Sequence, residues 1–167
     1  MPAVTCPDLP PATDPRTVTA PPATIWLTGR RGSGRRTLAR AVVAGLAVAG
    51  RHAVVLDDAR VAAAAARAGE GAADPVASGA DLAMSLVAEG VVAIVVATSP
   101  RVGDRERARR EHERRAIPFV EVYVDTPADV CAARAGADTG YEAPPLPDLV
   151  VRPGPMLPAV LSIVDLI

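Results

Sequence analysis

The chain has 167 residues, of which 50% are hydrophobic and 2% aromatic, and its 18 basic and 19 acidic side chains leave a net charge of −1. The near-neutral charge and the scarcity of aromatic side chains argue against a nucleic-acid binder, which needs a basic surface and rings for base stacking. Every basic residue is an arginine, so no lysine is available as a Schiff-base amine, as a tunable general base or in a phosphate-binding loop.

Residues 1–22 are rich in Pro and Thr, which predicts a flexible tail, and residues 23–167 are expected to form a single domain. The tail lacks the basic start and apolar stretch of a secretory signal, and the longest apolar run, residues 91–97, is too short to cross a membrane. The two cysteines, Cys6 and Cys131, make neither a disulfide framework nor a metal site. We therefore expect a cytoplasmic protein that binds neither membranes nor nucleic acids.

After the tail, β-branched runs alternate with helical patterns, which is typical of βαβ units and a parallel sheet. Strands are predicted at residues 24–28, 53–57, 91–97, 119–124 and 148–151. Helices are predicted at residues 35–49, 76–88, 103–115, 127–134 and 158–167, and an Ala-rich stretch up to residue 68 favours helix, followed by a loop at 69–74. The expected fold is α/β with a mainly parallel five-stranded sheet.

The turn between the first strand and the first helix, GRRGSGRRT, has the glycine spacing of the phosphate-binding pattern G-x-x-x-x-G-K-[ST]. Backbone N–H groups of such a turn, together with the helix dipole, point at a common spot that binds phosphate. Four arginines there would repel one another without a counter-anion, so anion binding is favoured over a plain connecting turn. The predicted phosphate-binding residues are Gly29, Arg30, Arg31, Gly32, Ser33, Gly34, Arg35, Arg36 and Thr37.

Two arginines stand where the pattern has Lys and Ser or Thr. Arg35 can still contact a phosphate, although a planar guanidinium follows a moving phosphoryl group less well than an ammonium does. Arg36 replaces the hydroxyl that would ligate Mg²⁺, so its charge repels the metal or stands in for it, and Thr37 comes one residue too late. Asp57 and Asp58 end a strand beside this loop, so they either bind Mg²⁺-water or pair with Arg36, and pairing is at least as expected as catalysis. No metal site is predicted, and Mg²⁺ is doubtful as a cofactor.

Five segments in chain order resemble adenylylsulfate (APS) kinases: ATIWLTGRRGSGRRTLARA, VVLDD, ATSPRVGDR, VEVYVDTPADVC and GYEAPPLPDLVV. The match covers nearly all of residues 23–151, and VDTPADVC with YEAPPLPDLVV is specific to this family among P-loop kinases. The resemblance implies a P-loop kinase fold, a three-layer sandwich. In active relatives it implies ATP- and Mg²⁺-dependent phosphate transfer to the 3′-hydroxyl of APS, giving PAPS. The expected ligands are ATP as cofactor and a nucleotide or sulfate-type anion.

Several working positions differ from the family pattern. The acidic D-G-D after the second strand becomes Asp57-Asp58-Ala59, so its second acid is lost unless Asp58 replaces it. Ala97 replaces the Phe that stacks on the substrate adenine, residues 74–85 lack the Arg and Asn that grip APS, and the lid shrinks to AARAGADTG. A missing lid lets water compete with transfer. The weak catalytic candidates are Arg35 and Asp58, and the substrate-side candidates are Asp57, Asp58, Ser99, Pro100, Asp104 and Arg105.

Three functional interpretations stay open. The chain is a divergent APS kinase with weak activity, whose ADP formation depends on APS and Mg²⁺. Alternatively, it is a pseudokinase that binds a nucleotide, sulfate or nothing and contacts a protein partner such as a sulfurylase or an active kinase. In the third interpretation it is a phosphotransferase recruited to another acceptor. A homodimer is a further candidate assembly.

The remaining notable residues have structural explanations. Residues 103–115 are dense in Arg and Glu, which predicts a solvated helix with many ion pairs. His52 and His112 are expected at the surface without a catalytic role. Trp26 is expected in the core, and Cys131 is expected to pack as a small hydrophobic side chain.

Overall fold

The computed structural model describes residues 20–67, 74–138 and 140–167, so most of the predicted tail and the loop residues 69–73 lie outside the described residues. The strands are β1 (Thr24–Thr28), β2 (Ala53–Leu56), β3 (Val92–Val95), β4 (Phe119–Val124) and β5 (Leu149–Val151). The helices are α1 (Arg35–Val48), α2 (Asp58–Arg67), α3 (Pro75–Ala88), α4 (Val102–Arg114), α5 (Ala128–Ala135) and α6 (Met156–Asp165). The α/β prediction is thereby confirmed.

The five strands form one sheet in the order β2-β3-β1-β4-β5, and each neighbouring pair is parallel. In the central pairings, Ile25 of β1 lies opposite Ile94 of β3 and Val120 of β4. Because parallel strands share a direction, all five carboxyl ends meet at one edge of the sheet. A cleft at this edge is where open α/β sheets bind their ligands.

The central strands β1 and β3 are buried on both faces, as expected for parallel strands covered by helices, whereas the edge strands β2 and β5 are partly exposed. Ile25 and Leu27 face a core cluster that includes buried residues of α1 and α6. Trp26, between them, points to the other face and packs with residues of α2 and α3. This alternation follows from the two-residue period of a strand. It produces the three layers, and it confirms the expected core position of Trp26.

Helix α4 corrects one prediction. Its sequence predicts a solvated helix and a surface His112, but His112 is 0% exposed and lies on a buried helix face with Arg105 and Ala108. The His112 Nδ1–H donates to the Ala108 carbonyl (2.8 Å), and Nε2 accepts from the Thr24 hydroxyl (2.9 Å). Burial lowers the pKa of His112, so the ring is neutral. Its hydrogen bonds are satisfied internally, which is why a polar ring can be buried here.

Two helices begin earlier than the sequence predicted, and local residues explain both starts. The Asp74 side chain accepts hydrogen bonds from Val76 N and Ala77 N, and Pro75 stands in the first turn of α3, so this helix begins one residue before the predicted start. Helix α6 begins two residues earlier than predicted, because Pro158 is tolerated within a first turn.

In the described part of the chain, none of the helices is long and apolar enough to cross a bilayer.

Candidate functional site

The loop between β1 and α1 keeps the backbone of a phosphate site. Gly32 adopts φ +80°, and a Cβ there would lie 2.7 Å from the Cys131 carbonyl oxygen, so only glycine fits between the loop and α5. Gly34 is the N-cap of α1 and offers no side chain to the first amides of the helix. These amides, which have no partner within a helix, therefore face the neighbouring cavity as donors.

A cavity of about 1030 Å³ opens beside this loop at the carboxyl edge of the sheet. Its wall continues through residues that follow β3, β4 and β5 and through the start of α6. Five of the residues lining it are arginines and one is an acid: Arg31, Arg35, Arg36, Arg134, Arg152 and Asp58. The volume is at the upper end of ligand cavities and the lining is strongly cationic.

Arg36 pairs with Asp58, one of the two acids that the sequence offered as its partner. The Arg36 Nη2 atom lies 3.7 Å from Asp58 Oδ2, and both side chains are substantially exposed. Asp58 also accepts hydrogen bonds from the Thr98 amide to Oδ1 (2.6 Å) and from the Thr98 hydroxyl to Oδ2 (3.3 Å). The carboxylate predicted as a weak catalyst is therefore already engaged by three groups of the protein.

Arg35 lies deeper in the same cavity. Its Nη1 donates to the Val96 carbonyl at the end of β3 (3.4 Å). Burial lowers the pKa of Arg35 from its ordinary value, while the charges of Asp58 and Asp138 oppose that shift. A guanidinium remains cationic at neutral pH even when it is partly buried. Arg35 therefore places a permanent positive charge at the lysine position of the loop.

Ser33 lies in the cavity wall, and its hydroxyl is buried without a hydrogen-bond partner among the described residues. The residue is 5% exposed, its carbonyl accepts a hydrogen bond from Thr126 Oγ1 (2.8 Å), and it lines the cavity. The Oγ atom is itself fully buried and lies beside Gly29, so a ligand in the cavity reaches it only after the side chain turns.

Two residues of the segment that stands in place of the family's long lid, Arg134 and Asp138, contact the loop. Asp138 Oδ2 accepts from the Arg31 amide (3.0 Å), and the Asp138 carbonyl accepts from Arg30 Nη1 (2.9 Å). Arg134 Nη1 donates to the Gly32 carbonyl (3.4 Å). Sequence reasoning missed Asp138; the available signal was that it is the only acid in the segment AARAGADTG.

The predicted substrate-side residues, apart from Asp58, do not line the cavity. Asp57 Oδ1 accepts from the Arg60 amide (2.9 Å) at the start of α2, and Ser99 Oγ accepts from Trp26 Nε1 (3.1 Å). Asp104 pairs with Arg107 within α4 (3.3 Å). The Pro100 carbonyl accepts from the Glu142 amide (2.9 Å). Of the predicted phosphate-binding residues, 31–37 line the cavity, whereas Gly29 and Arg30 do not. The predicted substrate-side groups other than Asp58 are engaged elsewhere in the protein.

Arg105, also predicted on the substrate side, is 2% exposed. Its Nε donates to Glu121 Oε1 (2.9 Å), Nη1 to the Ser99 carbonyl (2.7 Å) and Nη2 to the Glu142 carbonyl (2.7 Å). The guanidinium therefore connects α4, β4 and the segment before β5. All three of its nitrogen atoms are used inside the protein.

Four polar residues that line the cavity were given no role in the sequence-based predictions. Thr98, Thr126 and Arg152 follow the carboxyl ends of β3, β4 and β5, and Arg134 lies near the end of α5. Their common signal is position, because the residues after parallel strands meet at the same edge. That signal requires knowing which segments are strands and in what order they lie.

The residues around Arg36 do not fit a bound Mg²⁺. This ion takes oxygen ligands and keeps a nearly octahedral shell. Position 36 offers a guanidinium, and the nearest acid, Asp58, is paired with that guanidinium and with Thr98. A metal placed there would lie beside a positive charge.

Comparisons with known proteins agree on one family. A family model described as adenylylsulphate kinase matches residues 21–135. The adenylyl-sulfate kinase of Myxococcus xanthus is 35% identical over 149 residues, covering 77% of this chain and 80% of that protein. The bifunctional enzyme NodQ of Rhizobium tropici is 33% identical over 166 residues, covering 85% of this chain and 26% of NodQ.

The same likeness is found among solved structures. The Mycobacterium tuberculosis APS kinase CysC, in complex with AMPPNP and APS, matches with a TM-score of 0.70 and 26% identity. The match covers 87% of this chain and 96% of CysC.

Proposed function

This chain belongs to the adenylylsulfate kinase family, and we propose that it binds a nucleoside polyphosphate while transferring phosphate to APS far more slowly than its relatives do. The observation that carries the proposal is the Arg36–Asp58 pair, which stands where the family pattern has a metal-binding hydroxyl. The loop backbone supports binding, whereas the side chains at this point do not support catalysis.

Nucleotide binding is supported by the cavity. Among the described residues that line it, five are arginines and one is an acid, and the free amides of α1 add neutral donors. Arg134 and Met156 line the same cavity and offer a cationic and an apolar surface for a purine ring. Because CysC was solved with AMPPNP bound, an adenine nucleotide is the first candidate ligand.

Slow transfer follows from the contacts of the catalytic positions. Phosphoryl transfer depends on positioning and on electrostatic stabilisation of the moving phosphoryl group. Here Asp58 is held by Thr98 and Arg36, and Ser99 and Arg105 are buried in contacts within the protein. The groups that would orient an acceptor are therefore not available at the cavity.

We expect APS-dependent ADP release to be at least about 10³-fold slower than that of the Myxococcus xanthus adenylyl-sulfate kinase assayed alongside. A coupled ADP assay with and without APS measures this rate, and calorimetric titration with ATP measures binding. Turnover within about tenfold of that relative would contradict the slow-transfer part. The absence of ATP binding at any Mg²⁺ concentration would contradict the binding part.

Asp138→Asn should raise the affinity for ATP about fivefold, which corresponds to about 1 kcal/mol, the size of one ordinary hydrogen bond. The carboxylate occupies the Arg31 amide and places a negative charge near Arg35, so neutralising it removes a competitor of the incoming phosphates. Asp129→Asn is the matched control, because Asp129 is an exposed acid in the first turn of α5 and the same charge is lost. Dissociation constants from calorimetry decide between them, and equal effects of both variants would show that Asp138 does not compete.

A further inference from the structure

We infer that the cavity takes its polyphosphate in metal-free form, with the Arg36 guanidinium in the place of Mg²⁺. The inference rests on the proposed nucleotide binding and concerns the chemical form of the ligand. It assigns to Arg36 the role of selecting the free nucleotide over its Mg²⁺ complex.

The charge of the cavity favours the more anionic ligand. Its lining contains five arginines against the single carboxylate of Asp58. Because Mg²⁺ carries two positive charges, the metal-free nucleotide is more anionic than its Mg²⁺ complex. A wall with a large excess of positive charge therefore binds the free form more strongly, most of all where water is partly excluded.

Arg36 is placed to contact the phosphates directly. It is the second residue of α1, next to the free amides at the start of the helix, and it lines the cavity. Its side chain is 67% exposed and meets Asp58 only at 3.7 Å, so it can turn towards a ligand without breaking a tight contact. A guanidinium binds two phosphate oxygens at once, which gives it the bridging role that a metal ion has elsewhere.

The carboxylate nearest to Arg36, that of Asp58, is held by hydrogen bonds from within the protein. Both oxygens of Asp58 accept hydrogen bonds from Thr98, one from the amide and one from the hydroxyl. These hydrogen bonds leave lone pairs on both oxygens, but a Mg²⁺ ion bound to them would remain close to the charge of Arg36. The protein therefore stabilises the guanidinium at this point and disfavours the metal.

Calorimetric titration with ATP tests the inference, once in EDTA and once in excess MgCl₂ at matched ionic strength. The unmodified chain should bind free ATP at least about tenfold more tightly than MgATP, in keeping with the loss of one well-placed charge interaction. Equal or tighter binding of MgATP would overturn the inference while leaving the proposed nucleotide binding intact. No binding in either buffer would overturn both.

Arg36→Thr restores the hydroxyl of the family pattern and should remove or reverse this preference. Arg40→Thr is the control, because Arg40 lies one turn further along α1, is exposed and does not line the cavity. It should keep the preference of the unmodified chain. An unchanged preference in Arg36→Thr would show that Arg36 does not act in place of the metal. Circular dichroism of both variants confirms that they are folded.

Discussion

Replacing Arg105 with methionine is expected to lower the free energy of unfolding by about 3–5 kcal/mol, the usual effect of breaking a buried ion pair on one side. The guanidinium is buried and donates to Glu121 and to the carbonyls of Ser99 and Glu142. Without it, Arg109 is the one cationic neighbour of the Glu121 carboxylate among the described residues, with Nη2 at 3.7 Å. Two carbonyl groups also lose their donors inside the protein.

Urea denaturation measures this effect, with Arg110→Met as the control. Arg110 forms an exposed i,i+4 pair with Glu106 (3.8 Å), so its loss should change stability by less than about 0.5 kcal/mol. The double variant Arg105→Met with Glu121→Leu should be more stable than Arg105→Met alone, because it removes the carboxylate left without its partner. A loss below about 1 kcal/mol in Arg105→Met would show that the network is not important for stability.

Arg105 is a residue that the family pattern places on the substrate side, but its contacts here are structural. Arg105 connects three parts of the chain through buried hydrogen bonds, so its presence is explained by the fold without any contact to a substrate. Ser99, which accepts from the buried Trp26 indole, is explained in the same way. Their contacts within the protein are therefore sufficient to explain why these residues are present.

Gly32→Ala is expected to destabilise the protein by about 3 kcal/mol and to weaken ATP binding at least about tenfold. A residue with a side chain at φ +80° costs about 1–3 kcal/mol by itself. The new Cβ would also lie 2.7 Å from the Cys131 carbonyl oxygen and 3.2 Å from the Cβ atoms of Arg134 and Ala135. The loop must then move away from α5, which displaces the amides that face the cavity.

Gly34→Ala separates these two causes. Gly34 has φ +99°, but among the described residues no atom lies within 4 Å of its added Cβ. Thermal and urea unfolding should therefore show only the backbone part of the loss in Gly34→Ala. If both variants lose the same stability, the contact between the loop and α5 is not what requires glycine at position 32.

Local features of the sequence were sufficient to predict most elements of the fold. The run TIWLT has β-branched and aromatic residues in strand register, and it forms β1 with the predicted bounds. The glycine spacing of residues 29–34 predicted the phosphate loop, because the positive φ angles it requires are properties of single residues. Pairing of Arg36 with Asp57 or Asp58 was one of two alternatives that the sequence left open, and the structure pairs Arg36 with Asp58.

Burial of polar side chains could not be read from the same pattern. Helix α4 carries charged residues on all sides in the sequence, and only its packing on the sheet selects Arg105 and His112 for the interior. Glu121, Thr24 and the Glu142 carbonyl, which satisfy these side chains, come from distant parts of the chain. No local signal reports that such partners exist.

The sequence by itself determined the order and type of the elements, the phosphate loop and the family, because these depend on residue spacing along the chain. Only the tertiary structure decided which charges meet. It placed Asp138 on the Arg31 amide, across a separation of 107 residues, and collected five arginines around one cavity. Charges act through space, so their effect depends on the folded distances between them, and these distances are set by how the strands and helices pack.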